Sequence, residues 1–314
     1  MTGFPQIDAY RGAPGLIRVI GHRGARGVMP ENTLEGFRFT LDLGVDALEF
    51  DVVLTRDELP VVTHNHLLSP AAVRGSDGEW LAQDDLAVAD FSLAELQRFD
   101  VGGVDSCSTY GRKYPDQAFL TGVRVPSLAD LMALVSEPKY ANASLLLELK
   151  TEPNDPQIAD IRRRQVAAVL REVRAHNLAD RTVLHSFDWV LLDECRRQAP
   201  DIPTSYLSML ATIEEAAQPQ AIHATTSLPE IVAAAGGQMW CPWFRDVSPE
   251  LVAKAHELGL PVAVWTVNER ADIEAMIDLG VDGIVTDYPG RVQQCLLSRG
   301  LAWSPRISVP TRAG

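Results

Sequence analysis

Val19-Ile20-Gly21-His22-Arg23-Gly24 is the stretch on which the reading of this chain turns. An apolar run ends in a histidine and an arginine set between glycines. Polar residues interrupt or end two later runs as well, Leu48-Glu49-Phe50-Asp51-Val52 and Val61-Val62-Thr63-His64. Short apolar runs of this kind read as buried strands, and α/β proteins place their chemistry at strand C-terminal ends. Working outward, strands are expected at 16–21, 47–54, 59–64, 144–149, 182–186, 204–208, 238–242, 262–267 and 283–286. Helical patterns fall between most of them, at 33–43, 157–176, 189–198, 228–235, 248–258, 271–279 and 291–299. Strand–helix repetition across 314 residues with no dividing linker favours a TIM-type (β/α)8 barrel over a doubly wound sheet. Nine strands is one more than such a barrel uses, so one is expected to be peripheral.

Only Thr55-Arg56-Asp57-Glu58 separates the second strand from the third, too short for a helical crossover. A hairpin is therefore expected, with the third strand antiparallel and His64 roughly opposite Glu49. From about 66 to 125 the alternation breaks down. A helix at 89–99, whose Ser92-Leu93-Ala94-Glu95 resembles a capping box, is flanked by Gly75-Ser76-Asp77-Gly78 and a polar stretch at 102–121. This reads as a small inserted subdomain over one barrel end, a lid or substrate wall. Residues 1–303 are then a single catalytic barrel domain, and 304–314 an extended tail.

Hydrophobic residues make up 46% and charged residues 22%, which implies a packed core rather than disorder. The formal net charge of −14 argues against nucleic acid or an anionic membrane surface as the main partner. A small phosphorylated substrate is compatible, because a local Arg/Lys pair can act inside an acidic protein. Cys107, Cys195, Cys241 and Cys295 are scattered without zinc-finger spacing and read as buried reduced thiols. The first 18 residues carry no apolar signal region, and no apolar run of about 18 residues occurs, so a cytoplasmic chain without an integral membrane segment is expected.

Glu49 and Asp51 alternate on one strand and so face the same way. Buried carboxylates repel unless a cation lies between them; pairing with arginine is the structural alternative. Glu148 and Lys150 repeat the device at the end of Leu145-Leu146-Leu147, either as a simple salt bridge or as a third carboxylate beside a cation aimed at phosphate. All-oxygen ligands select a hard divalent cation, Mg²⁺ or Ca²⁺, over zinc. His22 and His64 supply acid/base capacity near neutral pH, and Arg23 a planar fork for phosphate. His64 is preferred over His66 because the hairpin brings it nearer Glu49. His185, His223 and His256 lack comparable acidic neighbours and are expected to be structural. Phe187 and Trp265, at later strand ends, would wall an organic alcohol.

The ordered set of Gly21-His22-Arg23-Gly24, Pro30-Glu31-Asn32-Thr33, Glu49-Phe50-Asp51-Val52, Leu54-Thr55-Arg56-Asp57, Val61-Val62-Thr63-His64, Glu148-Leu149-Lys150, Ser186-Phe187, Trp265-Thr266-Val267-Asn268 and Asp282-Gly283-Ile284-Val285-Thr286-Asp287-Tyr288-Pro289 resembles the glycerophosphodiester phosphodiesterase family. The resemblance spans roughly 19–289. It implies a TIM-type barrel with an inserted subdomain and one divalent cation, Mg²⁺ or Ca²⁺. By motif position it implies Glu49, Asp51 and Glu148 as metal ligands, His22 and His64 as the catalytic pair, and Arg23 and Lys150 as phosphate contacts. Asn65 departs from the pattern, in which an aspartate commonly follows the second histidine. The implied activity is hydrolysis of glycerophosphodiesters to sn-glycerol 3-phosphate and an alcohol. Phospholipase D- or C-like action on lysophospholipids, and non-catalytic phosphodiester binding, are the rival readings.

Overall fold

The computed structural model describes residues 3–11, 16–45, 47–210 and 227–307. Eight parallel strands form the TIM-type barrel: β1 (Arg18–His22), β2 (Ala47–Leu54), β4 (Ser144–Leu149), β5 (Thr182–Ser186), β6 (Thr204–Ser208), β7 (Met239–Pro242), β8 (Ala263–Val264) and β9 (Gly283–Thr286). The ladder runs β7-β6-β5-β4-β2-β1-β9-β8, and bridges at Trp240–Val262 and Trp243–Trp265 join its two ends. The peripheral ninth strand is β3 (Pro60–Val62), antiparallel to β2 as the short Thr55–Glu58 connection requires. Val52 pairs with Val62 and Leu54 with Pro60, so the register runs on to place His64 beside Phe50, one residue from the expected Glu49.

The helices are α1 (Pro5–Asp8), α2 (Leu34–Asp42), α3 (Leu93–Leu96), α4 (Leu128–Val135), α5 (Ile158–Ala175), α6 (Trp189–Gln198), α7 (Leu228–Ala234), α8 (Pro249–Glu257), α9 (Arg270–Leu279) and α10 (Pro289–Ser298). Thr33 caps α2, its hydroxyl accepting from Gly36 N at 3.1 Å. The helix expected at 89–99 is shorter. A 3₁₀ turn at Val88–Asp90 precedes α3, and Ser92 begins a new helix with a capping box to Glu95. Helix α4 was not anticipated, although Ser127 and Asp130 form its capping box. The expected tail lies outside the described residues from 308 onward. No helix among the described residues is long and apolar enough to cross a membrane.

Inside the barrel, alternation gives each strand one apolar inward residue low down. Ile20, Ala47, Leu146, Val183, Leu207, Met239, Ala263 and Val285 cluster there with Ile7 and Tyr10, which α1 contributes. Burying a Val- to Met-sized side chain contributes about 1.5–3 kcal/mol, so this layer stabilises the scaffold. Two residues further along, toward the C-terminal rim, the same inward positions become His22, Glu49, Glu148, His185, Trp265 and Asp287. The segment between β3 and α4 builds its own apolar cluster, including Leu68, Val73, Val88, Leu96 and Val125, and packs it on Val53 and Val61 of the hairpin.

Candidate active site

Strand register assembles the site. It pairs His22 with Glu49, Asp51 with Glu148, and Glu148 with His185 across adjacent strands. One ligand oxygen each from Glu49, Asp51 and Glu148 lies within 4.8 Å of the other two, and the three residues are 3%, 1% and 7% exposed. Two unit charges 4 Å apart interact by about 4 kcal/mol at an effective dielectric of 20, so three such anions need compensation. Lys150 Nζ donates to Glu148 Oε1 at 2.8 Å and lies 3.8 Å from Asp51 Oδ1, and Arg23 Nε is 3.2 Å from Asp51 Oδ2. This compensation is incomplete. Burial, then Asp51 and Glu148, push the Glu49 carboxyl well above the usual carboxylate range. Burial pushes Glu148 up to about 7 against the pull of Lys150. Asp51 goes the other way: burial would raise it, but Arg23, His64, Lys150 and a 3.0 Å bond from Asn32 Nδ2 hold it far below. Its buried Oδ1 has no hydrogen-bond partner among the described residues. An orphaned carboxylate oxygen among buried carboxylates fits an all-oxygen divalent-cation site.

The loop after β1 shapes the other wall. A Cβ at Gly21 would collide with the Gly24 carbonyl, and Arg23 and Gly24 both take left-handed backbone, φ +51 and +88. That turn aims the Arg23 N–H at Glu49 Oε2 (3.2 Å), while Arg23 Nη1 donates to Glu31 Oε1 at 2.9 Å. A non-glycine residue held there costs of order 1–3 kcal/mol, which marks the turn as one its surroundings must enforce.

His22 Nδ1 donates to Asp287 Oδ1 at 2.7 Å, leaving Nε2 as the free acceptor, 3.7 Å from Glu49 Oε2. Arg26 grips both oxygens of Asp287, at 2.9 and 3.1 Å, and Asn268 Nδ2 donates to it at 2.7 Å. Asp287 is fully buried and is held well below the carboxylate range by His22 and Arg26, although burial alone would raise it. His64 Nδ1 donates to Asn65 Oδ1 at 2.6 Å, and its Nε2 lies 3.3 Å from Lys150 Nζ. Burial lowers both histidines to about 4; Arg26 adds to this at His22 and Arg23 and Lys150 at His64. Both rings are therefore neutral and turn Nε2 inward.

The expected residues converge on one cavity of about 210 Å³: His22, Arg23, Glu49, His64, Glu148, Lys150, Phe187 and Trp265 all line it. Asp51 sits behind it with the other two carboxylates. Phe187 and Trp265 meet edge to face at 5.3 Å. His185 also lines the cavity, but it is 2% exposed and bonded to Ser205 Oγ at 2.9 Å, and burial lowers it to about 3. His256 pairs with Asp282 on the surface, and His223 lies outside the described residues. Asp287, Asn268 and Asn32 stand within motifs singled out in the sequence but were given no role there, and Arg26 was not singled out. Thr286-Asp287-Tyr288-Pro289 was visible as a strand end, but nothing in its spacing tied Asp287 to a histidine 265 residues away.

Fold and rim together define a TIM-barrel enzyme with a carboxylate cluster and two inward-facing histidines. The profile of the Glycerophosphoryl diester phosphodiesterase family matches residues 22–291. A glycerophosphodiester phosphodiesterase of Caldanaerobacter subterraneus subsp. tengcongensis is 27% identical over 86% of this chain and 94% of its own length. A crystal structure of a Silicibacter pomeroyi DSS-3 protein, assigned as a glycerophosphoryl diester phosphodiesterase, superposes with a TM-score of 0.90. It is 56% identical and covers 96% of this chain and all of its own. The barrel of an Oleispira antarctica phosphodiesterase, solved with its product sn-glycerol-3-phosphate, is similar at TM-score 0.67 and 24% identity, over 90% of this chain and 97% of that one. The chain belongs to the glycerophosphoryl diester phosphodiesterase family and is an enzyme of that class.

Proposed function

We propose that this barrel hydrolyses glycerophosphodiesters to sn-glycerol 3-phosphate and an alcohol, with His22 and His64 as the acid/base pair. The observation that carries the proposal is the pairing of two neutral, inward Nε2 atoms with three buried carboxylates around one cavity. Glu49, Asp51 and Glu148 would hold Mg²⁺ or Ca²⁺, which when bound neutralises charge at the phosphate. Arg23 and Lys150 bind the phosphate oxygens and stabilise the charge that builds during displacement. One histidine accepts the proton of the attacking hydroxyl as the phosphorus–oxygen bond to the alcohol breaks; that hydroxyl is water's, or the substrate's own 2-hydroxyl, which forms a cyclic phosphate that a water then opens. The other, protonated at Nε2 when the anionic substrate binds, gives that proton to the departing oxygen. Asp287 fixes the His22 tautomer, and Asn65 takes the corresponding place beside His64. Phe187 and Trp265 wall the organic part of the substrate. The sn-glycerol-3-phosphate held by the Oleispira antarctica barrel supports the choice of product.

The test is ³¹P NMR of sn-glycero-3-phosphocholine incubated with the purified protein and Mg²⁺ or Ca²⁺. The expected result is a new sn-glycerol 3-phosphate signal. Phosphocholine as product, or no turnover of any glycerophosphodiester, would overturn the proposal.

A further inference from the structure

A second cavity, of about 50 Å³, shares His64 with the first and lies between the barrel rim and the inserted segment. Leu68, Val73, Val101 and Val104 of the insertion give it apolar walls. Two of its polar lining residues, Asn32 and Gln117, carry acceptors without a partner among the described residues. Asn32 Nδ2 is committed to Asp51, which turns its Oδ1 the other way; that oxygen is buried without a partner among the described residues, on a residue 4% exposed. Gln117 Nε2 is committed to the Arg26 carbonyl at 2.7 Å, and its buried Oε1 is left in the same condition. Glu31 also lines the cavity, but Arg23 and the Tyr110 hydroxyl already donate to its carboxylate.

We infer that this cavity is the subsite for the departing alcohol and that it selects short headgroups ending in a hydrogen-bond donor, a hydroxyl or a primary ammonium. The inference rests on the glycerophosphodiesterase reading of the neighbouring cavity and adds to it which alcohols leave. Two features of the pocket set the selection. A dry cavity of roughly 150 Å³ is needed to take a benzene-sized ring, so a two- or three-carbon headgroup fits here and a cyclohexane polyol does not. A buried amide oxygen without a partner needs a donor, and a trimethylated ammonium has none. A headgroup lacking the donor is expected to lose roughly tenfold in kcat/KM. Because the insertion supplies most of the pocket's apolar wall, substitutions on that side change headgroup choice without rebuilding the rim.

The experiment compares kcat/KM of the Mg²⁺-supplemented protein on sn-glycero-3-phosphoethanolamine, sn-glycero-3-phosphocholine and sn-glycero-3-phosphoinositol. The same panel is run on Gln117→Leu and Val104→Phe, with inhibition by sn-glycerol 3-phosphate as a check that each variant keeps its phosphate site. The ethanolamine diester should lead the choline diester by roughly tenfold, with the inositol diester last. Gln117→Leu should collapse the ethanolamine-to-choline ratio toward one. Val104→Phe should raise KM for every diester while leaving inhibition by sn-glycerol 3-phosphate, which has no headgroup, within about twofold. Equal kcat/KM across the panel, or a ratio unchanged in Gln117→Leu, overturns the subsite while leaving the phosphodiesterase reading standing. Absence of turnover on all three diesters overturns both.

Discussion

His22 and His64 present the same atom to the same cavity from two different kinds of scaffold. His22 ends β1, a strand hydrogen-bonded on both sides, and its ring is clamped by a buried carboxylate that Arg26 and Asn268 in turn hold. His64 stands beyond the end of a three-residue strand outside the barrel, half-buried, with a neutral amide behind its ring and an ammonium in front. The contrast separates two jobs that a second-layer partner performs. An amide can fix a histidine's orientation; a carboxylate fixes orientation and also stabilises the charged ring. The half with a charged partner is built into the barrel, and the half with a neutral partner borders the insertion, where we place the headgroup.

The largest expected effects remove either ring. His22→Ala and His64→Ala should each lower kcat by about 10³-fold with the fold intact by circular dichroism. A near-wild-type rate in either variant would break the symmetry of the pair. Asp287→Asn comes next. It keeps the shape but loses the charge, and should lower kcat by roughly 10- to 100-fold. It also leaves the Arg26 guanidinium buried without its carboxylate, at a cost of about 3 kcal/mol in a denaturant titration. Asn65→Ala, its counterpart on the hairpin, should cost less than about tenfold and leave stability nearly unchanged, because no buried charge is stranded.

A third expectation concerns the carboxylates between the two histidines. Burial raises Glu148 to about 7, and it raises Glu49 as well, so in the metal-free protein near neutral pH Glu148 is partly protonated and a cation must displace that proton. Metal affinity should therefore strengthen as pH rises through 7, by up to about tenfold per unit for each proton displaced, and binding should release protons. Calorimetry in two buffers of different ionisation enthalpy reads both; affinity independent of pH between 6 and 8 would count against the cluster as the cation site. The smallest effect is expected from Asn65→Asp. A carboxylate behind His64 raises its pKa, so one limb of the pH–rate profile should move to higher pH while the maximal rate changes only a few-fold.

The barrel was legible in sequence because its strands are short apolar runs bounded by glycine, proline and capping residues. Observed strand limits differ from those expected by at most a few residues, and the short Thr55–Glu58 connection identified the antiparallel strand among the described residues. Helix α4 escaped because Leu128–Val135 is apolar around most of its circumference and merges with the irregular segment before it. Within the site, residues carried on strands could be grouped by alternation alone. Asp287, Arg26 and Asn32 could not, because their partners are set by barrel closure and by a left-handed turn rather than by spacing. Asn65 was visible as a departure, but only its 2.6 Å contact shows that its amide oxygen accepts from His64 Nδ1.

The two-histidine, one-metal reading is tested most directly by titrating Mg²⁺ or Ca²⁺ into EDTA-stripped protein while following release of sn-glycerol 3-phosphate. Stripped protein should be inactive, activity should saturate as one cation binds per chain, and Asp51→Asn should show no rise over the same range. Full activity in the stripped protein, or an Asp51→Asn variant that titrates like the wild type, would contradict it.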